Sequence, residues 1–239
     1  MSHDWYEETY QNEVRFALSV KERLFEGRSE FQHVEILDTA TMGRVLVIDG
    51  VFMTSERDEF FYHEMLTHPA LLLAAAPRDV LVIGGGDGGT VREVLRHPEV
   101  SSVVMVEIDS VVVEACKEHL ASIGSAWTDP RLDLRIDDGI RFVKESPDAR
   151  YDAVLLDGTD PVGPGEGLFN RAFYHEVRRV LRPGGIFALQ SESPFLTVRL
   201  FRETQAILRE EFPSVHPFFG PAPIYSAGVW SWTIAGESI

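Results

Sequence analysis

Cysteine is almost absent from this chain. Cys116 is the only one among 239 residues, so no intrachain disulfide can form, and its setting, VVVEACKEHL, reads as a buried helix face rather than a reactive site. Positive charge is scarce as well: 22 Lys and Arg stand against 38 Asp and Glu, for a net charge of −16. That balance argues against a nucleic-acid surface and against docking on anionic membranes, both of which need clustered cations. It suits cationic small molecules, although a solvated acidic surface is the commoner reason for it. No leader is recognisable before the first folded stretch and no apolar run approaches a membrane span, so a cytoplasmic location is expected. Internal repeats and low-complexity linkers are also missing. A hydrophobic content of 44% is ample for a core of one large or two small domains.

The first fifty-five residues hold short runs rich in Val, Ile, Leu and Phe, at Phe16–Phe25, Phe31–Leu37, Gly43–Ile48 and Val51–Thr54. The Asp49-Gly50 pair between the last two is a hairpin signal, so residues 1–55 are expected to form a small antiparallel β domain. Ser55 offers an N-cap, with Asp58 at the third helical position, for a helix from Glu56 to about Ala75 that Pro69 breaks or bends. From there to residue 239 strands and helices alternate. Strands are expected near Val80–Ile83, Val103–Glu107, Leu132–Asp137, Ala153–Asp157 and Ile186–Gln190, with two more in the tail. The alternation predicts an α/β domain with a mostly parallel, Rossmann-like sheet over 56–239.

The organising stretch is VLVIGGGDGGT, Val80–Thr90: a strand apolar on both faces, a glycine loop, then helical spacing. Gly84, Gly86 and Gly89 satisfy G-x-G-x-x-G, and Glu107 ends the next strand. A dinucleotide and an adenosyl group fit that much equally. Asp87 separates them, because a carboxylate inside the loop repels a pyrophosphate at the helix N-terminus and welcomes a cationic ligand. Ligands of such sheets bind outside the carboxyl ends of the strands. The first four strands end at Asp87, Glu107 with Asp109, Asp137 with Asp138, and Asp157 with Asp160, and none of these ends carries Lys or Arg. An Asp at a strand-to-helix junction is often no more than an N-cap, but four junctions share the pattern. Glu107 is placed to take both ribose hydroxyls, and Asp138 an adenine amine, with Gly139 letting the base lie close. The chemistry is expected in DGTDPVGPGEGLF, Asp157–Phe169, where two acids, stiff prolines and apolar Leu168 and Phe169 make a loop able to clamp a polycation. His63-Glu64 with His68 misses the zinc-protease spacing, because Thr67 occupies the position a second histidine would need, and no metal site is expected. His97, His119 and His175 read as surface or helix-end residues without a role.

The strings DGVFMTSERDEFFYHEM, VLVIGGGDGGTVREVLRHP, VEID, DPRLDLRIDDGIRFV and DGTDPVGPGEGLFNRAFY occur here in order, over nearly the whole chain. Together they resemble the polyamine aminopropyltransferases, the family of spermidine synthase. The resemblance implies transfer of an aminopropyl group from decarboxylated S-adenosylmethionine, a co-substrate rather than a cofactor, to putrescine, giving spermidine and 5′-methylthioadenosine. It implies a homodimer or a higher even-numbered oligomer, a small β domain on a methyltransferase-like domain, and no metal. By matching position, Asp157 would be the proton acceptor, and Gly158, Thr159 and Asp160 would line the diamine site between Tyr62 and Tyr225. Gln32, Gly84, Gly86, Glu107, Asp138, Gly139 and Pro164 would surround the nucleoside, with His63 and Asp87 beside its aminopropyl arm and the diamine. Where the family commonly reads T-Y-P-S-G, this chain has Ile224-Tyr225-Ser226-Ala227-Gly228, so agmatine, cadaverine or a longer polyamine stays open as acceptor beside putrescine. An S-adenosylmethionine-dependent diamine N-methyltransferase is a second reading of the same scaffold, disfavoured because Asp87 sits poorly beside a methionine carboxylate.

Overall fold

A computed structural model describes residues 4–10, 13–159 and 163–239. Its first sheet runs in sequence order, antiparallel throughout: β1 (Asp4–Tyr10), β2 (Val14–Arg28), β3 (His33–Thr39), β4 (Gly43–Ile48) and β5 (Val51–Ser55). Asp49 and Gly50 both take positive φ, 50° and 85°, between the paired residues Ile48 and Val51, which is the two-residue hairpin expected of Asp-Gly. Register shifts in the β2–β3 and β4–β5 ladders curl the sheet. Its two edges approach closely enough for the Phe52 amide of β5 to donate to Glu8 of β1 at 2.9 Å. The sequence reading missed β1: in DWYEETY the acids interrupt the apolar alternation, and pairing along β2 supplies what local pattern does not.

Helix α1 (Glu59–Leu73) corrects the expected start. Ser55 stays in β5, paired with Val45, and is no N-cap. Its hydroxyl donates to Asp58, which stands at the cap position rather than inside the helix and spends its other oxygen on the Ile224 amide. The helix also runs through Pro69 without breaking.

The second sheet contains β6 (Asp79–Gly84), β7 (Ser102–Glu107), β8 (Leu132–Ile136), β9 (Tyr151–Asp157), β10 (Leu181–Gln190), β11 (Ser214–Pro221) and β12 (Val229–Gly236). Their order is β11-β12-β10-β9-β6-β7-β8, and the five strands from β10 to β8 are mutually parallel, with β11 and β12 antiparallel at one edge. Between strands come α2 (Gly89–Leu95), α3 (Ser110–His119), α4 (Gly139–Glu145), α5 (Arg171–Val180) and α6 (Val198–Glu211), and a 3-10 turn (Gly163–Leu168) leads into α5. Arg182 to Gly185 lie within β10, which begins five residues before the expected Ile186, and there the pairing with β9 slips between Leu181 and Ile186. The resulting architecture is the Rossmann-like α/β fold with an N-terminal antiparallel sheet.

Three packed clusters fix the geometry of the crevice. Leu66 and Ala70 of α1 and Val94 of α2 pack with Val82 and Met105 on one face of the parallel sheet. Phe173 and Val177 of α5, with Leu208 of α6, pack with Leu81 and Phe187 on the other. The third cluster joins the two sheets: Val112, Ala115 and Cys116 of α3 bury against Val34, Ile36 and Leu46. Cys116 is thus a wholly buried helix-face residue. The chain leaves β6 for β7 and β8 and then returns to β9 on the opposite side of β6, so the order reverses between β6 and β9. A crevice opens at such a switch point, and the first sheet, held by α3, closes over it.

Candidate active site

The ends of β6 and β9 set the centre of the crevice, because Gly84 and Asp157 are register partners in their parallel ladder. Gly84 takes φ +79°, and a Cβ there would lie 2.2 Å from the Asp157 carbonyl oxygen, so only glycine lets the loop turn this close to β9. The Gly85 amide then donates to that carbonyl at 2.9 Å. The cleft above has a volume of about 940 Å³.

Gly84, Gly86 and Asp87 from the loop, Glu107 from β7, Asp138 and Gly139 at the start of α4, and Gln32 from the β2–β3 connection line one end of it. Here the carboxylates are engaged with backbone. Asp138 caps α4, accepting from the amides of Ile140 at 2.8 Å and Arg141 at 3.2 Å. Asp109 caps α3 through Val111, and Glu107 accepts from the Asp109 amide at 2.9 Å. The N-cap role considered for these junctions is therefore present at Asp109 and Asp138, and it leaves the second oxygen of Asp138 for a ligand. Burial pushes the Glu107 carboxyl up to about 7, with the Asp109 amide opposing and the Asp109 charge reinforcing the rise.

Tyr62, His63, Asp157, Gly158, Thr159 and Tyr225 line the other end. Side chains face side chains there. Thr90 donates its hydroxyl to Asp157 Oδ2 at 2.6 Å, and the Tyr62 hydroxyl donates to the same carboxylate. Burial pushes the Asp157 carboxyl up, a rise that the His63 charge opposes and the Asp87 charge adds to. Tyr62 packs edge-on to Tyr225 at 6.1 Å, and Tyr225 donates to the Met53 carbonyl at 3.0 Å, so two aromatic walls stand around the acid. Asp160 lies outside the described residues. Pro164 falls in the 3-10 turn, whose Leu168 reaches the cleft and, with Phe169, packs on the second core.

The sequence reading found no cation at the rim; the structure supplies one. His63 is 1% exposed and has a carboxylate on each ring nitrogen: Glu59 at 2.5 Å from Nδ1 and Asp87 at 3.2 Å from Nε2. Both nitrogens must donate, so the ring is an imidazolium. Burial works against that charge, but Asp87, Glu59 and Asp157 more than offset it and hold the group up to about 10. Donor atoms of His63, Asp87 and Asp157 lie within 4.8 Å of one another, a spacing that also suits a metal. A metal would have to displace a proton from the ring to bind there.

A second cavity of about 560 Å³ opens beyond Asp157 and shares Met53, Tyr62, Gly158, Thr159 and Tyr225 with the first. Its far wall carries two buried acids missed in the sequence, Glu8 from β1 and Glu192 after β10. Neither has a local signal, because only the curling of the first sheet brings β1 here. Glu192 holds φ +72°, unusual for a residue with a side chain, and is fixed there by Ser231, whose amide and hydroxyl donate to its carbonyl at 3.2 and 2.7 Å. Ser226, one of the altered residues around Tyr225, donates to Glu8 at 2.6 Å.

A crevice at the switch point of a Rossmann-like sheet, lined by carboxylates and joined to a second acidic cavity, suits a group transfer that involves cationic substrates. Family patterns agree: residues 59–238 match the spermine/spermidine synthase domain and residues 4–56 the spermidine synthase tetramerisation domain. The chain is 46% identical to the polyamine aminopropyltransferase of Prochlorococcus marinus, over 98% of its length and 82% of that protein's. It is 42% identical to the one from Methanocaldococcus jannaschii, over 98% and 80% respectively. A spermidine synthase solved with the transition-state analogue AdoDATO superposes with a TM-score of 0.97 at 35% identity, covering 99% of this chain and 81% of that one. The chain belongs to the spermine/spermidine synthase family and is a polyamine aminopropyltransferase.

Proposed function

We propose that the enzyme transfers the aminopropyl group of decarboxylated S-adenosylmethionine to putrescine, releasing spermidine and 5′-methylthioadenosine. The observation that supports this is that two cavities meet beside Asp157, across Tyr62, Gly158, Thr159 and Tyr225: one is lined by Asp87, Glu107 and Asp138, and the other by Glu8 and Glu192. In the wide end Glu107 takes the ribose hydroxyls, while Asp138 and Gly139 receive the adenine. Gln32, Gly84, Gly86 and Pro164 complete that wall, and Asp87 with His63 receives the arm that carries the ammonium. Where the two cavities meet, one diamine nitrogen lies at Asp157 between Tyr62 and Tyr225, over Gly158 and Thr159. The second nitrogen, still an ammonium, rests against the two distal acids.

An alkylamine has a pKa of about 10.4, so the attacking nitrogen arrives protonated and inert at neutral pH. Asp157 takes that proton, the nitrogen attacks the carbon beside the sulfonium, and the C–S bond breaks with its electron pair going to sulfur. Because the sulfonium is already a good leaving group, alignment and deprotonation supply the catalysis, and neither a metal nor a further cofactor has a task. The exposed Trp5 on β1 marks a sheet edge that pairing across a two-fold axis would cover, in keeping with a homodimer or higher even-numbered assembly built from residues 1–55.

Turnover with decarboxylated S-adenosylmethionine tests the reading. Putrescine should be used with a higher kcat/KM than cadaverine, agmatine or spermidine, and preference for any of these over putrescine overturns the assignment of acceptor. Calorimetry should show tighter binding of the decarboxylated donor than of S-adenosylmethionine.

A further inference from the structure

His63 does not stand alone. Arg92, on the first turns of α2, grips Glu59 with two parallel bonds, 2.9 Å to Oε1 and 2.8 Å to Oε2, and donates its Nε to Glu93 at 2.7 Å. Its remaining contact is the Ile123 carbonyl at 3.0 Å. Glu59 in turn holds His63, and His63 holds Asp87. A line of alternating charge therefore runs from Glu93 through Arg92, Glu59 and His63 to Asp87, largely shielded from solvent, and ends beside Asp157. The bidentate Arg92 grip fixes the Glu59 carboxylate in one plane, and that carboxylate fixes the imidazole in one rotamer.

The ring is also clamped on its face. A Cβ at Gly89, the last glycine of the loop motif, would fall 2.3 Å from Cε1 of His63, so the start of α2 lies directly on the imidazole. Among the described residues, the ionisable groups that face His63 are Glu59 and Tyr62 on its own helix, Asp87 in the glycine loop, Asp157 at the end of β9, and Arg92 of α2 behind Glu59. Cations near it are outnumbered by acids, and those acids are the ones the proposed reaction uses.

We propose that Glu59, locked by Arg92, is a positioning residue that keeps His63 as an imidazolium, and that this buried positive charge limits the negative field around Asp87 and Asp157 so that a bound amine can release its proton. The inference rests on the amine-acceptor reading above. Two carboxylates without a counter-charge would hold cationic amines tightly and would also hold their protons. With His63 charged, the pair still attracts the donor and the diamine, but the attacking nitrogen is less firmly protonated. The division is between binding, which gains from negative charge, and chemistry, which needs less of it. Burial raises the Glu59 carboxyl, but His63 and Arg92 overcome it and hold the group down to about 2, so Glu59 stays ionised throughout the working range.

The test combines kinetics with nitrogen NMR of the intact enzyme. In the wild type, both ring nitrogens of His63 should be protonated at pH 8; a neutral tautomer there overturns the proposal whatever the variants do. Glu59→Gln removes one partner and leaves the Arg92 charge facing the ring, so His63 should be neutral at pH 7 and above. The limb of kcat that reports amine deprotonation should move up by about one unit, a roughly tenfold loss at pH 7 that is recovered near pH 9, with the diamine KM unchanged or lower. Glu59→Asp should restore part of the shift. A Glu59→Gln enzyme with a uniformly lower kcat at every pH, or with a raised KM and an unmoved limb, shows a merely structural role and sinks the inference. Failure of the amine-acceptor reading would look different, because the wild type itself would then not turn over the diamine.

Discussion

The two ends of the cleft use the same residue type in opposite ways. At the end lined by Glu107 and Asp138 these two carboxylates accept from backbone amides within a few residues of themselves, at 2.8 to 3.2 Å. At the other end Asp157 and Glu59 meet Tyr62 and His63 of α1 and Thr90 and Arg92 of α2, two separate segments of chain, and Asp87 joins them with one oxygen on His63 and the other on the Gly89 amide. A carboxylate engaged by its own loop is a rigid acceptor whose second oxygen faces the ligand. A carboxylate engaged by other side chains has a protonation state that those neighbours set. The first arrangement suits recognition of a neutral sugar and base, and the second suits moving a proton.

That contrast is tested most strongly at Asp157. Asp157→Asn should lower kcat by about 10²- to 10⁴-fold, the range for loss of a general base, while methylthioadenosine still binds at the other end with near wild-type affinity by calorimetry. A variant that retains kcat on putrescine at neutral pH would remove the base from the mechanism.

Glu192→Gln should act on binding alone. Loss of a charge-assisted hydrogen bond is worth roughly 1.5–3 kcal/mol, so the putrescine KM should rise about ten- to a hundredfold with kcat little changed. An unchanged KM would show that the acceptor does not reach the distal acids.

A pH titration separates the ends further. In the proposed role Glu107 takes the ribose only as a carboxylate, and burial pushes its carboxyl up to about 7. Methylthioadenosine affinity should therefore fall by up to about tenfold for each pH unit below 7 and level off above it. In Glu107→Gln the affinity should be low and flat with pH; persistence of the slope would assign it to another group.

The smallest effect belongs to the exposed cap. Asp138→Ala leaves the first amides of α4 without a partner, at a cost of about 1 kcal/mol in denaturant unfolding, with the fold retained. If the same side chain receives the adenine as proposed, methylthioadenosine binding should weaken in parallel, whereas a pure capping residue would alter stability only.

Much of the fold was legible because its signals are local. The apolar run Val80–Ile83 with its glycines, the acid at the end of each strand and the Asp49-Gly50 hairpin each depend on residues within a few positions of one another, where sterics and backbone hydrogen bonding act directly. The start of α1 was misread for the complementary reason. Ser55 and Asp58 look like a cap pair, but pairing with Val45 keeps Ser55 in a strand, and the Ile224 amide, 166 residues away in sequence, claims Asp58.

The sequence alone determined which chemical groups crowd the rim of the sheet: strand ends are periodic, and the residue after each apolar run has only one edge to occupy. Tertiary structure alone decided how those groups are charged and what they face. His63 reads in sequence as one histidine on a helix. It becomes a buried cation because α1 packs on α2, Gly89 leaves room for its ring, and Arg92 and Asp87 arrive from segments that no local pattern connects. Charge state depends on distance and burial summed over all neighbours, and those sums exist only once the chain has folded. Glu8 and Glu192 reach one cavity wall for the same reason, through the curl of one sheet and a left-handed residue at the end of a strand in the other.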